Sequence, residues 1–235
     1  MNREELSRLS MVIGEESVNE LKGAHVAVFG VGGVGGYVCE ALARSGVGKL
    51  DIFDNDVVSP SNLNRQIIAL HSTVGRKKVD VMAERLLDIN PELIIKKHDV
   101  FYAAENADEF PLSGYDYIAD AIDSVPSKTE LIIRAVQSGT PIISSMGTGN
   151  KIDPSLLRLS DISKTEYCPL AKTMRVALRK LGINHLPVVF SAEEPKKACS
   201  APDSPQTPGS TAFVPATAGL LIASKIVRDI TEKQK

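Results

Sequence analysis

The chain has 235 residues, three cysteines, 43% hydrophobic residues and a formal net charge of −2. That length and apolar content suit one large α/β domain, and the near-neutral charge gives no global attraction to nucleic acid. The odd cysteine count, with no two cysteines closer than 31 residues, argues against a disulfide framework or a structural zinc site. The opening Met1-Asn2-Arg3-Glu4-Glu5 is charged with no apolar stretch behind it, and the run from Ala212 to Ala223 is broken by Pro215 and Thr217. That run falls short of the roughly 20 residues of a membrane span, so a soluble, cytoplasmic protein without signal peptide or membrane contact is expected.

In chain order, Val26 to Phe29 reads as a buried strand, followed by Gly30-Val31-Gly32-Gly33-Val34-Gly35-Gly36 and a helix from Val34 to Ser45 that Gly46 ends. A strand, a turn too tight for side chains and a helix whose first amides are free make an anion-binding element. Leu50 to Phe53 forms the second strand, and Asp54 closes it 19 residues beyond Gly35. A helix is expected over Gly75 to Asn90, with Val79, Met82, Leu86 and Leu87 at helical spacing and Pro91 stopping it. Short strands follow at Leu93 to Ile95 and Tyr117 to Ala119, then a helix over Pro126 to Ser138 and a strand opening at Pro141. This alternation predicts a doubly wound, Rossmann-like α/β sheet. Ligands in such sheets sit beyond the carboxyl ends of the strands, where Gly30, Asp54, Asp120 and Asp123 fall.

The last third is expected to be an α+β carboxyl-terminal extension: strands at Leu156 to Leu159 and Pro187 to Phe190, helices at Pro169 to Leu181 and Thr211 to Lys233. In the closing helix Leu220, Ile226, Val227 and Ile230 are available for docking. Between them Ser191 to Ser210 carries four prolines and almost no large apolar residue, which marks a long loop of the kind that is disordered or serves as a lid. The organisation is a single domain over residues 1–235, with a nucleotide-binding core over about 24–150 and a substrate-side extension over about 151–235. Asp51 and Asp56 read as solvated charges near the second strand, and Arg76 and Lys77 as solvated helix-start charges. Cys39 reads as a small core residue, whereas Cys168 and Cys199, the latter in the proline-rich loop, are open to a reactive role.

Five motifs occur in order: Gly30-x-Gly32-Gly33-x-Gly35, Asp54, Ser61-Asn62-Leu63-Asn64-Arg65-Gln66, Val74-Gly75 with Lys78, and Asp120-x-x-Asp123. Over roughly Arg8 to Ile143 this set resembles the ubiquitin-activating-enzyme superfamily of adenylating enzymes. The later stretches Ser163-Lys164-Thr165, Cys168-Pro169-Leu170-Ala171-Lys172 and Gly219 to Ser224 are similar to its tRNA threonylcarbamoyladenosine dehydratase branch. The resemblance implies ATP and Mg²⁺ as cofactors, a homodimer, and Arg8 as the arginine that reaches across to the partner's site. It implies adenylation of a carboxylate, and in this branch cyclisation of a threonylcarbamoyl group on tRNA with release of AMP. A monovalent cation is a further cofactor candidate, and a sulfur-transfer protein a further candidate partner.

The residue types suit that chemistry. Backbone amides of Gly30, Gly32, Gly33 and Gly35 would cradle phosphate, and Asp54 would accept the ribose hydroxyls. Asn62, Arg65 and Lys78 would gather around the triphosphate, and Asp123 would hold Mg²⁺. Asp120 is open to either capping or a ligand role. The alternative within the superfamily is activation of the C-terminal carboxylate of a ubiquitin-like sulfur-carrier protein, which the missing Cys-x-x-Cys pairs weaken. A nicotinamide oxidoreductase would leave Arg65, Lys78 and Asp123 unexplained. Finally, Lys172, Arg175 and Arg179 recur at spacings of three and four on one helix, a candidate tRNA-binding stripe that Lys196 and Lys197 would extend, against an apolar face of Leu170, Met174, Ala177, Leu178 and Leu181.

Overall fold

The fold is taken from a computed structural model, which describes residues 1–196 and 208–232. Among these residues the strands are β1 His25–Phe29, β2 Lys49–Phe53, β3 Ile94–His98, β4 Tyr117–Asp120, β5 Ile142–Ser145, β6 Leu157–Asp161 and β7 Pro187–Ser191. They form one sheet in the order β3-β2-β1-β4-β5-β7-β6. All neighbours are parallel except β6, which runs antiparallel to β7. The last two strands of the chain, β6 and β7, therefore lengthen the sheet that β1 to β5 form.

Alternation along the strands divides the interior in two. Val26 and Val28 of β1 join Leu50 and Ile52 of β2 on one face, covered by α3 (Gly35–Arg44), α4 (Lys78–Ile89) and α7 (Phe213–Thr231). Ala27, Phe29 and Phe53 point the other way and meet α5 (Val125–Ser138) and α6 (Pro169–Lys180). Two amino-terminal helices that the sequence pattern does not announce, α1 (Ser7–Ile13) and α2 (Glu15–Gly23), precede β1. In α7 Val214, Ala218, Ile222 and Ile226 are buried and Val227 and Ile230 pack against the same core, while Leu220 is half-exposed. Gly219 explains the tight α3–α7 crossing, because a Cβ there would lie 2.4 Å from the Val34 carbonyl oxygen.

Two expectations need correction. The helix expected from Gly75 begins only at Lys78, since Gly75 has φ of +87° and residues 75–77 run antiparallel to Val57 and Val58 instead. Asp51 is no solvated charge. It is buried in the middle of an inner strand, where it accepts from His25 Nε2 at 2.7 Å, His98 Nε2 at 2.8 Å and the Tyr115 hydroxyl at 2.9 Å. Burial raises its pKa, but these hydrogen bonds outweigh the burial and hold it below the usual carboxylate range. In the segment read as a long loop, the described parts are pinned by Asn150, whose left-handed backbone (φ 59°) donates to the Gly209 carbonyl and accepts from Lys196 N–H. Its Oδ1 accepts from Gly209 N–H as well. Lys197 and Cys199 lie outside the described residues.

The glycine loop is fixed by contact between backbones. A Cβ on Gly35 would sit 1.8 Å from the Gly30 carbonyl oxygen, and one on Gly30 would sit 2.7 Å from that of Ala121. At Gly32 the nearest atom to an added Cβ is 3.8 Å away. Gly35→Ala should therefore cost about 1–3 kcal/mol or more of stability in urea unfolding. Gly32→Ala should stay within about 0.5 kcal/mol of the parent in the same titration.

Candidate nucleotide site

At the carboxyl ends of β1, β2 and β4, where the strand order reverses, the sheet opens into a cavity of about 590 Å³. Gly30, Gly32, Gly33, Asp54, Asn62, Arg65, Lys78 and Asp123 all line it. Gly35 does not: it is buried, and its lack of a side chain lets α3 pack on β1. Arg8 is exposed on α1 and is no part of its own chain's cavity wall. At the helix start, the N–H groups of Gly32, Gly33 and Val34 make no backbone hydrogen bond among the described residues, which leaves donors facing an open cradle.

Asp54 holds the edge of this cradle. Its Oδ2 accepts from Val31 N–H at 2.7 Å and its Oδ1 from Asp56 N–H at 2.9 Å. Lys78 is the first residue of α4, buried, with Nζ 2.7 Å from Asp56 and 3.8 Å from Asp54. A cation at a helix amino terminus runs against the macrodipole, so the two carboxylates offset a position that helix formation alone disfavours. Asp56, read as merely solvated, thus takes part through Lys78. Arg76 and Lys77 are surface ion pairs with Glu84 and Asp99.

The Ser61–Gln66 segment enters through a short turn, Pro60–Asn62, in which Asn62 Oδ1 accepts Ser59 N–H at 3.0 Å. Arg65 is partly committed, donating through Nη1 to the Ser61 carbonyl at 2.7 Å and Asn64 Oδ1 at 3.0 Å, which fixes the guanidinium at the cavity wall. Opposite, Asp123 is exposed on the turn between β4 and α5. Among the described residues no cluster of three or more metal-ligating side chains occurs. Mg²⁺ here would therefore need phosphate oxygens to complete its shell beside Asp123, as a hard, reluctantly dehydrated cation does in nucleotide sites.

Asp120 is an interior residue. It is fully buried with Lys128, whose Nζ lies 2.7 Å from its Oδ2 and 3.1 Å from Ser144 Oγ, and its Oδ1 accepts Ile122 N–H at 3.1 Å. This pair shapes the turn that carries Asp123. The signal for Lys128 was present in sequence, because it shares a helical stripe with Leu131, Ile132 and Ala135, where a lysine has no bland reason to be. Ser210 and Pro215 also line the cavity, and no local pattern pointed to them.

The basic helix is only partly available. Lys172 and Arg179 are exposed on α6, but Arg175 Nη1 donates to the Thr165 carbonyl at 3.0 Å and to Thr165 Oγ1, so its charge braces its own chain. Ala171, Met174 and Leu178 form the buried face, and Leu181 just past the helix is exposed. Cys39 and Cys168 are buried, and neither lines the cavity.

These features define a doubly wound α/β fold with a cavity where the strand order reverses, and comparison with known proteins agrees with that fold. The model of the ThiF family matches residues 6–235, and the chain belongs to that family. It is 42% identical over 239 residues to the tRNA threonylcarbamoyladenosine dehydratase of Bacillus subtilis (strain 168), covering 96% of this chain and 94% of the relative. It is also similar to the crystal structure of the Escherichia coli tRNA N6-threonylcarbamoyladenosine dehydratase, TcdA, in complex with AMP, with a TM-score of 0.92 at 34% identity, covering 99% and 96% of the two chains. The ATP complex of the same E. coli enzyme gives 0.89 at the same identity and coverage. No helix among the described residues is long and apolar enough to cross a membrane.

Burial lifts the Asp54 pKa, and the Lys78 charge with the Val31 and Asp56 N–H groups only partly offsets it. A raised carboxyl contributes stability that is complete below its unfolded value of about 3.9 and is lost as pH climbs through the folded value. An asparagine has no such loss. The stability of Asp54→Asn relative to the parent should therefore improve as pH rises from about 3 towards 7, while nucleotide affinity falls; urea titrations across that range and calorimetry check the two halves.

Proposed function

We propose that this chain is a cytoplasmic, ATP-dependent tRNA threonylcarbamoyladenosine dehydratase. It adenylates the carboxylate of the threonylcarbamoyl group on adenosine in tRNA and then cyclises it. The observation that carries the reading is the convergence of the Gly32–Val34 amides, Asp54, Arg65, Lys78 and Asp123 on one cavity, in a chain so similar over its length to dehydratases of that name. The ATP and AMP complexes of the E. coli relative support ATP as the nucleotide consumed.

The free amides, Arg65 and Lys78 hold the triphosphate and absorb its charge as it redistributes, and Asp54 takes the ribose hydroxyls. Asp123 with phosphate oxygens would hold Mg²⁺, whose charge helps neutralise the phosphates when bound. The substrate carboxylate attacks the α-phosphorus, the bond to pyrophosphate breaks, and a mixed anhydride forms. The threonylcarbamoyl group's own atoms then attack the acyl carbon and AMP leaves, so that one water is lost overall. Such intramolecular attack supplies roughly 7–11 kcal/mol through effective molarity, so no enzyme thiol is needed, in keeping with the buried Cys39 and Cys168.

The active form is a homodimer in which Arg8 completes the partner's site. Its exposure outside its own cavity supports this reading, as does the exposure of neighbouring Met11 and Val12 at 84% and 81%. Arg65→Ala, Lys78→Ala and Asp123→Ala should each lower AMP formation with ATP, Mg²⁺ and total tRNA by about 100-fold or more while remaining folded. Arg8→Ala should do the same alone, yet regain activity when its subunits exchange with Lys78→Ala subunits. Normal turnover in the cavity variants would overturn the adenylation reading. Release of AMP with a sulfur-carrier protein but not with tRNA would select the alternative substrate.

For tRNA docking, Lys172 and Arg179 are the exposed cations of the stripe on α6, with Lys180 next to Arg179 and Lys196 beyond them. Each phosphate contact contributes about 0.9 to the slope of log affinity against log salt. Changing Lys172 and Arg179 to Gln should raise the apparent KM for tRNA and flatten that slope by up to about two units, with ATP binding unchanged. An unaltered slope in a filter-binding salt series would place the tRNA elsewhere.

A further inference from the structure

Gln66 has no assigned task, yet its position is unusual. It sits one residue after Arg65 on the cavity wall and is only 7% exposed. Its main chain is fully engaged: its N–H donates to the Asn62 carbonyl at 2.9 Å and its carbonyl accepts Ala69 N–H at 3.0 Å. The side chain is the reverse. Oε1 is buried with no hydrogen-bond partner. The amide faces the glycine loop, with Nε2 3.8 Å from where a Cβ on Gly32 would lie, nearer than any atom beyond Gly32 and its chain neighbours.

The orphaned Oε1 is an acceptor and gains nothing from an anion; the nitrogen, turned toward the glycine loop, is the end of the amide that can meet a ligand. Its nitrogen donates two hydrogens, and the space between it and Gly32 is bounded by the unpaired amides of Gly32, Gly33 and Val34. What fits between rows of N–H donors is an oxyanion. We propose that the Gln66 side-chain amide is a direct donor to the phosphate chain of the bound nucleotide, forming the wall of the cradle opposite Gly32. The assignment rests on the nucleotide reading of the cavity given above. Gln66 differs from Arg65 and Lys78 in carrying no charge: it supplies direction to the phosphates rather than neutralisation.

The test uses the full chain and three ligands, ATP, AMP and adenosine, with affinities measured by calorimetry. Gln66→Met keeps size and removes the donor, and Gln66→Glu keeps shape and replaces donor by anion. A hydrogen bond to a charged group corresponds to a loss of about 10- to 100-fold, so Gln66→Met should bind ATP and AMP that much more weakly and adenosine as the parent does. Gln66→Glu should be weaker still for ATP. The unliganded Gln66→Met should melt at or above the parent temperature, since it removes an orphaned polar group.

ATP affinity equal to the parent's in Gln66→Met, or an equal loss for adenosine, would overturn the assignment, and so would a much lower melting temperature, which would reveal a structural partner for the amide. If Gln66→Met does not yield folded protein, Gln66→Asn, which withdraws the amide by one methylene, must lose affinity for ATP and AMP but not adenosine, or the assignment fails. A parent that binds adenosine but gains nothing from phosphates would instead sink the nucleotide reading itself.

Discussion

The contact on which the site depends is the bare crossing of α3 over the end of β1. Gly35 lies against the Gly30 carbonyl at a distance no Cβ could share, and Gly30 in turn lies against Ala121 at the end of β4. Three backbones are thereby locked into one layer. The consequence is directional: the first turn of α3 points its unpaired N–H groups into the crevice where the strand order reverses, and the Ala121–Asp123 turn faces it across the same space. Side chains could not set this geometry as firmly, because rotamers relax and carbonyl oxygens in a sheet do not.

Around that frame the polar groups are arranged against stability as often as for it. Lys78 stands at the wrong end of a helix for its charge, Asp54 is partly stripped of water, Gln66 is left without a partner, and Lys128 is enclosed with Asp120 in the interior. Buried ion pairs give little net stability over apolar packing. Their cost is offset by the two large apolar layers on either side of the sheet. The cavity suits an anionic, hydroxyl-bearing ligand, with N–H donors of the glycine loop for the anion and the Asp54 carboxylate for the hydroxyls.

Much of this was legible in sequence where the chemistry is local. The glycine loop, Asp54 and the Asn62–Arg65 segment announce themselves because strand ends and turns fix them within a few residues, and alternation of strands and helices gave the doubly wound sheet. What could not be read depends on partners far apart in the chain. Asp51 looks solvated until His25, His98 and Tyr115 are brought to it from three other parts of the sequence. Arg175 looks free until Thr165 folds back beneath it. The helix start at Lys78 was misplaced because a glycine at positive φ and a β-bridge to Val57 overrode helical periodicity.

The order in which the cavity's walls occur along the chain has its own meaning for biogenesis. The loop, Asp54, Arg65, Lys78 and Asp123 all fall in the first 123 residues, yet Ser210 and Pro215 close the crevice, with Pro215 against Gly33. On the ribosome, the glycine loop is therefore synthesised long before the residues that complete the cavity wall. The cavity wall is complete only once α7 has emerged and docked on α3.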